Sequence, residues 1–242
     1  MSVTRLAAVI LTTGDAARLA LTLGSLSGAE DVVLLDVAEC AGRALPASAR
    51  RLADPRAIES ATDAPWLLLL KEGEVVSKTL GREIAAVVAA PCSYDVFAVP
   101  VVVRALDARL RLRRPAARLA RRGARVRLDP GLAPCLQVDR GPVGLLTGAI
   151  VVRPPATLAE AVVHLSAEAT MLSALLEASG AQPSGRMLVR DALLETARVA
   201  LARGEPVLGW VRWILAVLCG YRAVATHAKL WELRHARAEP AA

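Results

Sequence analysis

Residues 71–74 read Lys-Glu-Gly-Glu and follow the apolar run Trp66-Leu67-Leu68-Leu69-Leu70. Two carboxylates so close together could grip a hard divalent cation, which takes oxygen ligands. Gly73 offers no side chain to such an ion, and the ammonium of Lys71 repels it. The same ammonium could instead stabilise an anion. A plainer reading of Glu72 and Glu74 is a solvated turn with a carboxylate capping the next helix. Asp36 ends a second apolar run, DVVLLD, where a carboxylate either meets a ligand or caps the following turn. Between residues 104 and 127 stand ten arginines and one acid, Asp107. Arginine forks match phosphate oxygens. Arg118, Arg121 and Arg122 therefore read as a phosphate-binding surface or, alternatively, as a solvated face.

The elements around these residues set where they could act. Residues 6–12 form a buried strand, and Asp15 caps a helix running to about residue 26. Residues 31–36 and 66–70 are further apolar strands, residues 79–89 have helical periodicity, and residues 94–103 are strand-like. Strands alternating with helices predict a mostly parallel sheet covered on both faces. Ligands bind such sheets beyond the carboxyl ends of the strands, which singles out Asp36 and residues 71–74. Short strands follow at 136–139 and 148–152. Pro154-Pro155 marks a boundary, and helices are expected at 157–179, 187–203 and, after a break at 204–206, 207–234.

Composition narrows the classes. A chain of 242 residues suits one α/β domain with an appendage. Apolar residues make up 55% and mean hydropathy is +0.43, carried mainly by Ala, Leu and Val. The net charge of +7 points to an anionic partner. One Phe and two Tyr argue against a stacking platform for single-stranded nucleic acid. Cys40, Cys92, Cys135 and Cys219 lack metal-site or disulfide-framework spacing and read as reduced thiols. His164 and His227 read as ordinary helix residues. The apolar run after Arg5 is a first strand rather than a secretion signal.

The last segment holds an apolar run of nine residues, 213–221, between Arg212 and Arg222. Spanning a bilayer takes about twenty. Trp210, Trp213 and Trp231 with Arg222 and Lys229 suit a helix lying in the plane of an anionic membrane surface. The competing reading is a helix packed on the protein's own core or in a dimer.

Taken in order, several segments resemble family 2, GT-A-type glycosyltransferases of lipopolysaccharide core biosynthesis, the beta-1,4-glucosyltransferase kind. They are the opening strand and turn at 9–15, Asp36, WLLLLKEGE at 66–74, the helix start after it, RLARRG at 118–123, GPVGLL at 141–146, residues 204–210 and AKLWEL at 228–233. The departures are specific. The family's metal loop carries two aspartates one residue apart, then glutamate, where this chain has Lys71, Glu72, Gly73 and Glu74. Its His-Glu pair tied to acceptor chemistry falls on residues 131–138, whose only titratable side chain is Cys135. The stretch between Asp36 and Trp66 is shorter than in the family.

The resemblance implies a GT-A-like α/β domain over residues 1–153, Rossmann-like with a mostly parallel sheet, and a C-terminal helical extension over 154–242. It implies a nucleotide sugar, a UDP-sugar by analogy, contacted by Thr12, Asp15, Asp36, Lys71, Glu72 and Glu74. It also implies a lipid-linked saccharide acceptor near Arg118, Arg121 and Arg122. The setting would be cytoplasmic and peripheral on the inner membrane. Three readings stay open: an inactive relative serving as a binding or scaffold protein; a metal-independent enzyme in which Lys71 or an arginine stabilises the leaving diphosphate; and a Mg or Mn site rebuilt from Glu72 or Glu74.

Overall fold

The computed structural model describes residues 6–26, 29, 31–36, 49–105, 108–111, 115–124, 127–129, 134–137, 141–204 and 209–238. Cys40, residues 131–133 and 138, and residues 205–208 lie outside the described residues. The elements are β1 (Leu6–Leu11), α1 (Ala16–Gly24), β2 (Asp31–Leu35), β3 (Ala49–Leu52), β4 (Trp66–Lys71), β5 (Glu74–Val76) and α2 (Lys78–Ala89). Then come β6 (Val96–Val99), β7 (Val101–Ala105), β8 (Ala108–Arg111), β9 (Ala116–Arg121), β10 (Arg127–Asp129), β11 (Cys135–Gln137), β12 (Val143–Leu145) and β13 (Ile150–Val152). The chain ends with α3 (Leu158–Ala178), α4 (Gly185–Ala200), β14 (Arg203–Gly204) and α5 (Gly209–Ala238).

The main sheet has seven strands in the order β12-β6-β9-β4-β1-β2-β3. The pairings β1–β2, β1–β4, β2–β3 and β6–β12 are parallel, and β9 runs antiparallel between β4 and β6. The α/β expectation with a mostly parallel sheet and closing helices is met. Strands β1 and β4 are apolar throughout because both faces are covered. Val9, Leu11, Leu67 and Leu69 meet Met171, Leu172 and Leu175 of α3 and Ala223 of α5. Ile10, Leu68 and Leu70 meet Leu19 of α1 and Leu80 and Ile84 of α2. The C-terminal helices thus complete the sheet's own core.

Two departures from the expected elements have local causes. The strand expected at 94–103 is broken at Pro100, which has no N–H for a ladder. Strand β6 stays in the main sheet, and β7 joins a second one, β14-β8-β7-β13-β5. The arginine-rich stretch contains β9, an inner strand of the main sheet.

The chain proceeds from β1 to β2 on one side and reaches β4 on the other, so β1 and β4 flank the point where strand order reverses. A crevice beyond their carboxyl ends is where an open α/β sheet offers a ligand site. Leu11 and Lys71 are register partners there.

Candidate functional site

A cavity of about 180 Å³ opens at that point. Leu11, Lys71 and Glu74 come from strands β1, β4 and β5, Thr13 and Glu72 from the turns after β1 and β4, His164, Glu168 and Met171 from α3, and Glu195, Leu218 and Arg222 from α4 and α5.

The turn after β1 is built as an anion nest, with Gly14 at φ +82°. Its occupant is the chain's own Glu72. One carboxylate oxygen accepts from Thr12 Oγ1 (2.6 Å), Thr13 N (3.0 Å), Gly14 N (2.9 Å) and Asp15 N (3.1 Å). The other accepts from Thr13 Oγ1 at 2.6 Å. Asp15 caps α1 as expected, accepting from Ala17 N and Arg18 N. Thr12 and Glu72 are buried, so the donors expected to meet a nucleotide are turned onto Glu72. The structure thus gives Thr12 and Glu72 to each other and the Asp15 carboxylate to the start of α1, and the buried Glu72 carboxylate is satisfied as it stands.

Glu74 is equally committed. It accepts from Lys71 N at 2.7 Å and pairs with Arg118 Nη2 at 3.1 Å. Between the two glutamates, Gly73 adopts φ +84° with the Arg18 guanidinium packed on it. A divalent cation does not fit this loop: both carboxylates are occupied and a guanidinium faces the intervening residue. The expectation that Glu72 or Glu74 rebuilds a Mg or Mn site is corrected accordingly. Among the described residues no cluster of three His, Cys, Asp or Glu side chains is placed to hold a metal.

Lys71 does not stand free either, because its ammonium pairs with Glu168. Glu168 also takes Arg222 Nη1 at 3.0 Å, and Arg222 Nη2 reaches Glu195 at 2.7 Å. Burial alone would raise the Glu168 pKa, but Arg222 and Lys71 outweigh it and hold the carboxyl well below its ordinary range. Burial likewise disfavours the charged Arg222, and the carboxylates of Glu168 and Glu195 more than reverse this. Arg222 is therefore an interior residue, which corrects its place among the membrane-facing cations. Lys229 is also turned inward, donating to Ser166 O at 2.9 Å and Thr170 Oγ1 at 2.6 Å on α3.

The three motif arginines do not share a surface. Arg118 is 3% exposed and lines the cavity. Arg121 lies over the Trp66 ring at 5.1 Å, and Arg122 donates to Thr62 O at 2.7 Å and pairs with Asp63. Arg118 and Arg121 sit on β9 three residues apart and face opposite sides of the sheet, and Arg122 stands in the turn after it. The common phosphate- or acceptor-binding surface is corrected to one interior residue and two peripheral ones. Asp36 is buried, paired with Arg51, and outside the cavity lining. Arg18, Glu168 and Glu195 escaped the sequence reading. Arg18 has no signal beyond its nearness to the first turn, and the two glutamates look like ordinary helix-surface acids.

No protein-family model matches the chain, and no curated protein matches it. Among solved structures it is similar to S. aureus TarS 1–349, with TM-score 0.42 and 10% identity over 96% of this chain and 92% of that one. The structure of the same S. aureus protein in complex with UDP gives TM-score 0.41 and 9% identity over the same shares.

Proposed function

We propose that the chain is a glycosyltransferase-like protein of cell-envelope saccharide biosynthesis that binds its ligand without a divalent cation and acts as a binding or scaffold partner at the membrane. The observation that carries this reading is the loop after β4. Where the resembled family presents metal-binding aspartates, Gly73 lies under Arg18 and Glu72 fills the nest of the first turn. Among the described residues, every carboxylate lining the cavity (Glu72, Glu74, Glu168 and Glu195) already has a cation or a set of donors. None is left as a general base for an acceptor hydroxyl, which requires a carboxylate able to take the proton.

Calorimetry with uridine diphosphate, with manganese and then with chelator, tests the reading. Binding of equal affinity in both conditions supports it. A large manganese-dependent gain overturns it.

A second reading is metal-independent transfer, favoured by the cations Arg18, Lys71 and Arg118 around one cavity. Fixed cations stabilise a leaving diphosphate electrostatically. A nucleotide-sugar hydrolysis screen in chelator separates the two, since turnover there requires transfer chemistry.

The membrane setting is supported by α5. Trp210, Trp213, Val217, Tyr221, Val224 and Trp231 are all exposed along it. An apolar stripe of this kind suits a helix in the interface plane, here on the cytoplasmic face of the inner membrane. A lipid-linked saccharide fits the same setting.

A further inference from the structure

Among the described residues, Arg118 is the buried cavity cation with the most unused donors. Its Nη2 reaches Glu74, while Nε and Nη1 are buried without a partner among the described residues. Those two nitrogens carry three of the five N–H donors of the side chain. Buried donors are almost always satisfied, so an orphaned set beside a cavity marks a place for a ligand acceptor. The backbone is arranged for this. Phe97 opposes Leu119 and Ala98 opposes Ala117, so Arg118 is the extra residue of a β-bulge. Bulges re-aim a side chain out of the ladder and occur beside functional sites.

The rest of the lining defines the ligand. Among the described residues, five cations (Arg18, Lys71, Arg118, Arg198 and Arg222) face four carboxylates (Glu72, Glu74, Glu168 and Glu195), a balance of one positive charge. Around them the wall is apolar, with Val101, Val103, Val152, Leu165, Met171 and Leu218 among its residues. An apolar cavity of about 150 Å³ already accepts a benzene ring, and this one is about 180 Å³.

We propose that this cavity binds an amphipathic monoanion, a carboxylate or singly charged phosphate-ester head on Arg118 with a short apolar body against the valine and leucine wall. The site does not rest on the nucleotide reading, and its test contains no nucleotide. Full-length protein is titrated calorimetrically at about pH 5.5, where octanoate is mostly ionised and octyl phosphate mostly singly charged, with octanoate, octyl phosphate, octanol and inorganic phosphate. Saturable one-to-one binding is expected for at least one of the two octyl anions, and the stronger of the two identifies the head group. Octanol and inorganic phosphate should each bind at least tenfold more weakly, because one lacks the charge and the other the body. The double variant Glu74→Gln/Arg118→Gln, which removes the pair together, should lose at least tenfold in affinity for that anion. Leu218→Trp, which fills the apolar end, should do the same. Octanol binding as tightly as octanoate and octyl phosphate overturns the proposal on the unmodified protein, whether or not the variants fold. Undiminished anion binding by folded variants also overturns it, by placing the ligand elsewhere.

Discussion

A Cβ placed on Gly73 would lie 2.6 Å from Cζ of Arg18, at a backbone φ of +84°. The two residues are complementary: the missing side chain is what lets the guanidinium settle on the loop between Glu72 and Glu74. Gly73→Asp restores the residue type of a metal loop and should fail to restore a metal site. The variant should lose about 1–3 kcal/mol, the usual cost of a side chain forced into a left-handed conformation, with the clash adding to it. Gly73→Asp/Arg18→Ala should recover part of that loss. Urea unfolding measures both, and manganese should leave both midpoints unchanged. A manganese-dependent rise in the midpoint of either variant would show that the loop still accepts a cation.

Glu72 offers a stability test of the nest. Replacing it with alanine removes the carboxylate that accepts from the hydroxyl of Thr12 and from the N–H groups of Thr13, Gly14 and Asp15, leaving Gly14 N–H its bond to Thr12 Oγ1. Losing hydrogen bonds to a buried charged group costs about 1.5–3 kcal/mol. Glu72→Ala should lower stability by that order in urea, and Glu72→Gln by less, because one amide oxygen keeps some of the donors. A neutral effect of alanine would mean that water or another anion fills the nest.

Arg222 joins three helices by holding Glu168 of α3 and Glu195 of α4 from α5. Arg222→Met leaves two buried carboxylates without this partner, and breaking a buried pair this way costs about 3–5 kcal/mol. Adding Glu168→Gln and Glu195→Gln should restore most of it. Thermal unfolding of the single and triple variants measures the difference. Equal destabilisation in both would assign the loss to packing of the arginine stem rather than to stranded charge.

How far these relationships could be read from sequence depends on their range. The strands β1, β2 and β4 and the Asp15 cap were legible because a continuous apolar run and an N-cap are local signals. The loop at 71–74 was legible as the place to look, for the same reason. Its chemistry was not, because Glu72 is defined by the turn after β1 and Gly73 by Arg18, both distant in sequence. Arg118 read as surface because ten arginines in one stretch suggest a solvated face. Only the inner position of β9 and its bulge turn that residue inward. Arg222 read as a membrane cation because its acid partners lie on two other helices.

His164 should make stability depend on pH. Burial, and then the nearby Arg18, hold its pKa below the ordinary value of 6.5. Between the lowered folded value and the ordinary unfolded one, the unfolded chain holds the extra proton. Stability therefore rises with pH across that window and falls as pH drops below about 6.5. The melting temperature should decline between pH 6.5 and pH 5 in the natural protein, and the decline should be shallower in His164→Asn. The acids Glu168 and Glu83, held below their ordinary range, add no loss there, since a lowered carboxyl loses stability only below its unfolded pKa. Parallel curves for the two proteins would remove His164 as the cause.

The closing helix gives the most direct test of the membrane setting, and the structure dictates its form. Deleting α5 would be uninformative, because Ala216, Ala223, Leu230, Thr226 and His227 are buried and the deletion would open the core. The exposed face can be altered alone. Trp210, Trp213 and Trp231 are 71%, 62% and 53% exposed, so replacing all three with serine removes apolar surface without touching the core. The natural chain should co-sediment with vesicles containing anionic lipid. High salt should weaken the association without abolishing it, since charge attraction is screened and apolar insertion is not. The triple variant should bind at least about tenfold more weakly, a difference of about 1.4 kcal/mol, with an unchanged melting temperature. Retained vesicle binding by the folded triple variant would move the contact to another surface. Loss of self-association in the variant, with no vesicle binding by the natural chain, would instead make the stripe a contact between two copies.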